Sequence, residues 1–467
     1  MTAPFPRPKE AHAHVEHLRP LEACPPRRAR PAPRGLRRRR RQRRAPTPVE
    51  QLGVKLPEAQ GYNVLVVSFD ALRADALGTY GAQGDISPHL DAIAAESLVF
   101  ENGYSVAPVT PTSFAAAFTG MLPTRVFHAW KLKVTDTLAQ RFADAGYETA
   151  AILNNVQLSA ERHFNVGFDH FETLRSRPDR EVLESAVAWL DQPRDAPFFA
   201  WVHFLSPHSP YTRRPESEHL YDPDYEGPYV ETSGQPFAPE DPKDIDRLWQ
   251  LYLGEVYAVD RLFGELIEYL QTHSLLDRTI LVITSDHGEE FGEHGGFQHD
   301  RLTEEHVHIP IIVRHPETVD APLRSPVLTS NVDLKPSLLA LAGIEFDGQG
   351  DGRNWRRLAA PPELVVGVSM TGGQERWLSL RQGSEKLIQT CIPETEQRLF
   401  DLDSDPGEQA DIASAEERRV RELYRDLGVI LGGEPCRVMQ NAVQGKNVTA
   451  GMTDEDIEAL KSLGYLN

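Results

Sequence analysis

The run Asn63-Val-Leu-Val-Val-Ser-Phe-Asp70 decides the fold that this chain is expected to adopt. The residues before the aspartate are almost continuously apolar, which is typical of a strand buried on both faces of a parallel sheet. In open α/β sheets, ligands bind beyond the carboxyl ends of the strands. We therefore expect Asp70 at a ligand site, with a helix-capping aspartate as an equally good interpretation.

Strand-like and helix-like segments alternate after this run. The predicted strands are 148–153, 198–205 and 279–285, and the predicted helices are 90–100, 137–145, 181–190 and 248–273. This alternation predicts an α/β fold, with a mainly parallel sheet sandwiched between helices. Residues 212–242 are rich in proline and acidic residues and are predicted to form a surface loop or lid.

The sequence changes in character near residue 345. Beyond it we predict a small antiparallel sheet with one helix packed on it, formed by strands at 377–381, 386–389 and 398–402 and a helix at 416–431. Three regions follow from this pattern. They are an Arg/Pro-rich tail (1–60), an α/β domain (61–345) and a C-terminal subdomain (346–467).

Charge is distributed unevenly along the 467 residues, whose net charge is −20. The first 48 residues hold 14 Lys or Arg and 3 Glu and lack apolar periodicity, so they are predicted to be disordered. This tail could bind nucleic acid or anionic lipid, but a solvated tail, or a gene start placed too early, is the simpler explanation. The acidic remainder argues against nucleic-acid binding by the folded body.

The sequence shows little evidence of a membrane span, an export signal or a disulfide framework. The sequence has no apolar run of about 18 residues, which predicts no membrane span. No apolar segment follows the N-terminal arginines, so a signal peptide is incomplete and a cytoplasmic location is expected. Cys24, Cys391 and Cys436 are few and scattered, which predicts neither a disulfide framework nor a zinc site. The oligomeric state does not follow from the sequence.

A candidate nucleophile lies in the stretch Ala107-Pro-Val-Thr-Pro-Thr-Ser-Phe-Ala-Ala-Ala-Phe-Thr-Gly120. Pro111 fits the first helical position, where a missing N–H costs nothing, and Gly120 can end the helix. Thr110 would then lie at the positive end of the helix dipole, which favours an oxyanion nucleophile and an anionic substrate. An ordinary N-cap threonine is the alternative.

Ligands for one divalent cation are expected where the predicted strands end. Asp70 follows the first strand, and Asp286-His287 follow the strand at 279–285. Together with Thr110 they offer two carboxylates, an imidazole and a hydroxyl, a set that suits one divalent cation. Such an ion would lower the effective pKa of the Thr110 hydroxyl and polarise a phosphoryl or sulfuryl oxygen. Taken alone, the Asp-His pair could equally be a capping aspartate and a structural histidine.

Several histidines are candidates for substrate contact and proton transfer. His294 and His299 lie in a Gly-rich segment, which predicts exposed side chains that bind the substrate anion or protonate the leaving group. His208 lies between two prolines after a strand and is expected to contact the substrate, whereas His203 is better explained as a core histidine. The candidate catalytic residues are Thr110, His299 and His208, and the candidate substrate-binding residues are His294, His128 and Lys131.

Motifs spread over most of the chain resemble the sulfatase family of the alkaline phosphatase superfamily. They occur in the family's order from about residue 63 to the C-terminus. They are residues 63–81, Ser87-Pro-His-Leu-Asp-Ala-Ile-Ala, Phe118-Thr-Gly120, Pro207-His-Ser-Pro-Tyr211, Thr284-Ser-Asp-His-Gly-Glu289, Leu399-Phe-Asp-Leu-Asp-Ser-Asp-Pro-Gly-Glu408 and Leu460-Lys-Ser-Leu-Gly-Tyr465. The resemblance implies a sulfatase-like α/β sandwich with a small C-terminal subdomain.

One departure from the family pattern concerns the nucleophile. Sulfatases oxidise a cysteine, rarely a serine, to formylglycine within Cys-x-Pro-x-Arg, and here that tract is Thr110-Pro-Thr-Ser-Phe114. A threonine is not converted, so no formylglycine is expected. Thr110 instead resembles the threonine nucleophile of relatives that move phosphoryl groups, such as nucleotide pyrophosphatases/phosphodiesterases and lipoteichoic-acid synthases.

Further departures concern the metal and the substrate anion. Ala71 replaces the second aspartate of the usual Asp-Asp pair, and Asp286-His287 replaces Asp-Asn, which favours Mn or Zn over Ca or Mg. Asn154-Asn155 stands at the place of a Lys-Trp-His tract, and His299 replaces the second substrate lysine. We see no second metal triad of the diesterase type, so one metal is expected.

These features predict a metal-dependent hydrolase of small anionic esters, with Thr110 as the metal-bound nucleophile and with phosphorus esters favoured. Three alternatives remain open. They are a sulfuric ester hydrolase acting without formylglycine, a phosphotransferase that passes the phosphoryl group to an acceptor alcohol, and a catalytically inactive sulfatase-like binding protein.

Overall fold

The computed structural model describes residues 56–175, 178–232, 238–317, 323–346, 350–357, 364–370, 376–392, 395–442 and 453–462. Cys24 and nearly all of the predicted N-terminal tail lie outside these ranges. The described residues belong to one compact unit. The predicted boundary near residue 345 stays a prediction.

Helices and strands alternate along the first two thirds of the described chain. The strands are β1 (Asn63–Asp70), β2 (Leu98–Tyr104), β3 (Phe127–His128), β4 (Lys131–Leu132), β5 (Glu148–Leu153), β6 (His170–Thr173), β7 (Phe198–Pro207), β8 (Thr279–Ser285), β9 (Glu290–Phe291), β10 (Phe297–Gln298), β11 (Ile311–Arg314), β12 (Leu323–Ser330), β13 (Leu364–Ser369), β14 (Arg376–Gln382), β15 (Glu385–Ile392) and β16 (Glu396–Asp401). The helices are α1 (Pro88–Ala94), α2 (Thr110–Thr119), α3 (Pro123–Val126), α4 (Leu138–Asp144), α5 (Asp179–Leu190), α6 (Pro242–Thr272), α7 (Glu304–Val307), α8 (Leu334–Leu341), α9 (Glu417–Leu431), α10 (Pro435–Ala442) and α11 (Asp454–Ser462).

The central sheet has eight strands in the order β12-β2-β11-β8-β1-β7-β5-β6. Its strands run parallel except for β11, which pairs antiparallel with both β2 and β8. β1 lies inside the sheet, where Leu65 is opposite Ala200 on β7 and Leu281 on β8. The predicted α/β fold with a mainly parallel sheet is confirmed.

Both faces of the sheet are buried, which explains why β1 is continuously apolar. Val64 and Val66 belong to a core that also contains α2, α4 and α8. Leu65 and Val67 point to the opposite face, into a core with α1, α5 and α6. Since successive side chains of a strand alternate between faces, a strand covered by helices on both sides needs apolar residues at every position.

A second, antiparallel sheet follows in the order β13-β14-β15-β16. One face packs on α9 and α10, and the other packs against residues of the main body such as Tyr104 and Leu328. The predicted small sheet with its helix is therefore confirmed. Strand β13 was not anticipated.

Two sequence-based expectations are wrong within the described residues. The helix predicted at 90–100 ends at Ala94, because Leu98–Tyr104 pair with β11 and β12 as an inner strand of the sheet. Cys391 and Cys436 form a disulfide between β15 and α10. Their separation of 45 positions in the sequence made them look scattered, but the fold brings their backbones together, with the Cα atoms 5.2 Å apart. Disulfides are rare in reducing compartments, and the expected cytoplasmic location stays a prediction.

The predicted lid region contains a short 3₁₀ helix at Pro215–Leu220 before α6 begins at Pro242. None of the helices in the described ranges is long and apolar enough to cross a membrane.

Candidate active site

Four side chains meet beyond the carboxyl ends of the inner strands. Asp70 is the last residue of β1, Asp286 and His287 follow β8, and Thr110 begins α2. All four are fully buried. The structure thus brings together the four residues that the sequence proposed as metal ligands. We call them the metal-ligand cluster.

Backbone conformation after the strands shapes this cluster. Ala71 has φ +61°, a left-handed conformation that is costly for a residue with a Cβ. This turn lets the Ala71 N–H donate to Asp286 Oδ1 at 3.0 Å, which ties the end of β1 to the end of β8. Gly288 is needed for a different reason, since a Cβ there would lie 2.1 Å from the Glu305 carbonyl oxygen.

The distances within the cluster suit a shared cation. Thr110 Oγ1 lies 3.3 Å from His287 Nε2 and 3.5 Å from Asp70 Oδ1. His287 Nε2 lies 3.6 Å from Asp70 Oδ1 and 3.4 Å from Asp286 Oδ2. Ligand atoms from Asp70, Asp286 and His287 all fall within 4.8 Å of one another.

In Asp286, Asp70 and His287, a hydrogen bond holds one polar atom of the side chain and the other polar atom faces the cluster. Asp286 Oδ1 accepts from the Ala71 and His287 N–H groups, whereas its buried Oδ2 has no hydrogen-bond partner among the residues that the structure describes. Asp70 Oδ2 accepts from Asn155 Nδ2 at 2.6 Å, which leaves Oδ1 toward Thr110. His287 Nδ1 donates to the Gly288 carbonyl at 2.9 Å, so its Nε2 presents a lone pair. These donors fit a divalent cation.

The pKa shifts of Asp286 and His287 also favour a bound cation. Burial and the nearby Asp70 carboxylate raise the pKa of Asp286 to about 7. Burial lowers the pKa of His287 to about 4. A bound cation would favour the ionised form of both buried carboxylates and would accept the lone pair of the unprotonated imidazole.

His208 and His299 form a pair beside the cluster. Their Nε2 atoms are 3.0 Å apart, and each Nδ1 faces a carbonyl, that of Ser209 for His208 and that of Pro108 for His299. If both Nδ1 atoms donate, the Nε2–Nε2 contact requires one further proton between the rings. The His299 ring also stacks on His287, with centroids 4.0 Å apart. Both candidate catalytic histidines therefore adjoin the metal-ligand cluster.

The remaining candidates lie elsewhere. His294 faces Glu305, with Nε2 3.6 Å from Oε2, and its side chain is only 13% exposed. The expectation of a freely exposed His294 is therefore wrong, because the Gly-rich segment folds back onto α7. His128 and Lys131 pair across the β3–β4 hairpin, and among the described residues neither makes a hydrogen bond with the metal-ligand cluster. Their roles in substrate binding stay predictions.

Sequence reasoning missed the contacts of two residues with Asp70. Asn155 follows β5 and donates to the Asp70 carboxylate. His203, in β7, places Nε2 3.4 Å from Asp70 Oδ2. The strand-end position of Asn155 was a usable signal. No comparable signal exists for His203, because its contact with Asp70 depends on which strands are neighbours in the sheet.

The family model for sulfatases matches residues 62–344, which include every strand that supplies the cluster. The chain is 27% identical to an ulvan-active sulfatase of Formosa agariphila over 67% of this chain and 69% of that protein. Its fold is similar to that of a protein solved in complex with its substrate D-glucosamine-2-N,6-O-disulfate. That match has a TM-score of 0.68 at 21% identity and covers 81% of this chain and 99% of the other.

The fold is also similar to that of a phosphonate monoester hydrolase of Agrobacterium radiobacter. The TM-score is 0.65 at 18% identity, over 82% of this chain and 96% of that one. With the family model spanning more than half of its length, the chain belongs to the sulfatase family of ester hydrolases.

Proposed function

We propose that this protein is a metal-dependent hydrolase of small anionic esters in which Thr110 is the nucleophile, with phosphorus esters favoured. The observation that carries this proposal is the position of Thr110 Oγ1, between Asp70 Oδ1 and His287 Nε2 and at the N-terminus of the ten-residue helix α2. A hydroxyl in that position is close both to the candidate metal ligands and to the positive end of the helix dipole.

Asp70, Asp286, His287 and Thr110 would hold the cation. Mn²⁺ or Zn²⁺ is favoured over Ca²⁺ or Mg²⁺ because the set includes an imidazole. When bound, a cation of this kind acidifies a hydroxyl and neutralises charge on an ester oxygen.

The protein's own groups account for the remaining steps. Thr110 Oγ1 gives its proton to water and bonds to phosphorus, and the bond to the leaving alcohol breaks on the opposite side. The departing oxygen takes the proton held between His208 and His299. The N–H groups in the first turn of α2 stabilise the phosphoryl oxygens. A water molecule then bonds to phosphorus and returns a proton to the histidine pair, the bond from phosphorus to Thr110 Oγ1 breaks, and the acid is released.

One observation supports phosphorus over sulfur, namely that residue 110 is a threonine, which cannot become formylglycine. The similar folds do not discriminate, since they include a phosphonate monoester hydrolase and a protein bound to a sulfated sugar. Sulfate esters are the second candidate, because the similar curated proteins include an ulvan-active sulfatase and a choline-sulfatase. In that case unmodified Thr110 would attack sulfur.

Turnover of four nitrophenyl esters tests the proposal. The esters are a sulfate, a phosphate monoester, a phosphodiester and a phosphonate monoester, each assayed with Mn²⁺, Zn²⁺ and Ca²⁺ in the wild type and in Thr110→Ala. We expect a phosphorus ester to turn over with Mn²⁺ or Zn²⁺ and Thr110→Ala to lose that activity.

The other outcomes separate the alternatives. A preference for the sulfate ester would overturn the phosphorus assignment. Metal binding with turnover only when an acceptor alcohol is supplied would indicate a phosphotransferase. A chain that neither binds metal nor turns over any ester would be an inactive binding protein.

A further inference from the structure

We propose that a buried chain of hydrogen bonds, Trp201–Ser68–His203, positions Asp70 for metal binding and holds the Thr110 helix in place. This inference rests on the proposed metal site. It assigns positioning roles to three residues that lie inside the sheet and that cannot themselves touch a substrate.

The three side chains form a continuous series behind Asp70. Trp201 Nε1 donates to Ser68 Oγ at 2.8 Å, and Ser68 Oγ lies 2.9 Å from His203 Nδ1. His203 Nε2 lies 3.4 Å from Asp70 Oδ2. All four side chains are fully buried. The series crosses two paired strands, since Ser68 and His203 are directly opposite in β1 and β7.

The donor and acceptor properties of these side chains determine which atom donates in each hydrogen bond of the series. An indole N–H can only donate, so Ser68 Oγ accepts from Trp201. The single proton of the Ser68 hydroxyl is then available for His203 Nδ1. With Nδ1 accepting, the ring proton lies on Nε2 and faces the Asp70 carboxylate. This assignment satisfies the polar atoms of the series as far as His203 Nδ1, and it aims the Nε2 proton at Asp70 Oδ2 across a 3.4 Å contact that is an ion pair and not an aligned hydrogen bond.

This arrangement determines which Asp70 oxygen is free. Oδ2 faces two donors, Asn155 Nδ2 and His203 Nε2–H, while Oδ1 faces Thr110 and His287. A carboxylate held through one oxygen keeps its rotamer before the cation arrives. Groups that orient metal ligands in this way typically change metal affinity or activity by about 10- to 100-fold when they are removed.

The same side chains contact α2. Phe114, four residues after Thr110, packs with its ring 4.7 Å from Trp201 and 5.1 Å from His203, the latter edge to face. The Trp201–Ser68–His203 series therefore supports both the first strand's carboxylate and the helix that carries the nucleophile. A core histidine that only satisfied its own hydrogen bonds would have no such double contact with the site.

The experiment measures Mn²⁺ affinity on metal-stripped full-length protein by competition with a fluorescent chelator, together with the apo melting temperature. Three variants test the series. His203→Leu removes the donor to Asp70, His203→Gln keeps an amide donor, and Ser68→Ala removes the hydroxyl that fixes the ring proton. Thr149→Val is the matched control, since it removes a buried strand hydroxyl that bonds the Gly167 carbonyl.

We expect the Mn²⁺ Kd to rise about 10- to 100-fold in His203→Leu and less in Ser68→Ala, with His203→Gln recovering most of the loss. The control should keep wild-type affinity even if its apo melting temperature falls. Unchanged Mn²⁺ affinity in folded His203→Leu and Ser68→Ala, with normal binding by the wild type, would overturn the positioning role alone. A wild type that binds no metal would overturn both this inference and the proposed function.

Discussion

Two clusters of largely buried carboxylates and imidazoles differ in how their charge is balanced. The first is the metal-ligand cluster. The second, which we call the ion-pair cluster, combines two overlapping groups of three residues, Glu290 with Glu305 and His306, and His294 with Glu305 and Glu408. Within each group of three, as among Asp70, Asp286 and His287, one ligand atom per residue lies within 4.8 Å of the others, so residue type and spacing alone do not distinguish the two clusters.

The ion-pair cluster carries its own cations. Arg301 Nη1 lies 3.5 Å from Glu290 Oε2, and the buried Lys386 Nζ lies 2.9 Å from Glu408 Oε1. His306 lies between two carboxylates, 3.7 Å from that of Glu290 and 3.3 Å from that of Glu305. Burial lowers the pKa of His306, but Glu305 and Glu290 more than offset this, so its pKa is raised.

The metal-ligand cluster has no such partner. Within the described ranges, no Lys or Arg forms an ion pair with Asp70 or Asp286, and Asp286 Oδ2 has no hydrogen bond. Apart from the proton of the adjacent His208–His299 pair, the carboxylates of this cluster have only a cation from solution to balance them, whereas the ion-pair cluster contains a lysine and an arginine of its own. The contrast predicts metal binding at the first cluster and a structural role for the second.

The largest expected effect comes from Asp286→Asn. The amide keeps an acceptor for the Ala71 and His287 N–H groups but removes the negative charge of the carboxylate. Loss of one anionic ligand costs several kcal/mol, so we expect metal-dependent turnover to fall roughly a thousandfold. Calorimetric titration with Mn²⁺ measures the accompanying loss of affinity.

Glu290→Gln is the matched control in the ion-pair cluster. Its amide oxygen can still accept from the His294 and Gly296 N–H groups that now bond Glu290 Oε1. We expect one Mn²⁺ per chain, as in the wild type. Loss of metal from Glu290→Gln but not from Asp286→Asn would reverse the assignment of the two clusters.

The next effect is on stability. Lys386 Nζ contacts Glu304 Oε1 at 2.8 Å as well as Glu408, and the lysine is buried. Lys386→Met leaves both carboxylates without this cation, so unfolding free energy should fall by about 3–5 kcal/mol, as for other broken buried pairs. Denaturant unfolding measures the change.

The exposed pair between Lys461 and Glu458 provides the comparison. Lys461→Met should change stability by at most about 0.5 kcal/mol, because exposed ion pairs contribute little. Metal stoichiometry should be one Mn²⁺ per chain in the wild type and in Lys461→Met. A second Mn²⁺ bound by the wild type would show that the ion-pair cluster also binds metal.

The smallest effect is a pH dependence within the ion-pair cluster. Because the folded state raises the pKa of His306, its contribution to stability is fully present below the ordinary value of about 6.5 and is lost as pH rises through the folded pKa. We expect the difference in unfolding free energy between wild type and His306→Gln, measured by denaturant unfolding, to narrow as the pH rises from below about 6.5 to above the folded pKa of His306. A gap that widens with pH would contradict a protonated His306.

The part of the site that could be predicted from the sequence consists mainly of residues at the ends of strands. Asp70, Asp286 and His287 each follow an apolar strand, and parallel strands bring such ends to one edge of the sheet. Thr110 was identified by its helix-start pattern. Each of these patterns lies within one strand or helix, so it can be recognised without knowing which strands are neighbours in the sheet.

Contacts that depend on strand order could not be predicted in this way. His203 reaches Asp70 only because β7 is the neighbour of β1, although 133 residues separate them. The Cys391–Cys436 disulfide depends on how α10 packs on the antiparallel sheet. His294 and His287 belong to one Gly-rich stretch of sequence, but the chain turns between them and places them in different clusters.

The central claim is that Thr110 is the nucleophile, and the most direct test is to look for its covalent intermediate. Wild-type protein turning over a nitrophenyl phosphorus ester with Mn²⁺ is quenched in acid and its peptides are mapped by mass spectrometry. We predict a phosphorus adduct on the peptide that contains Thr110, and no adduct and no turnover in a metal-binding Thr110→Ala. Turnover by Thr110→Ala at the wild-type rate, or an adduct on another residue, would contradict the account.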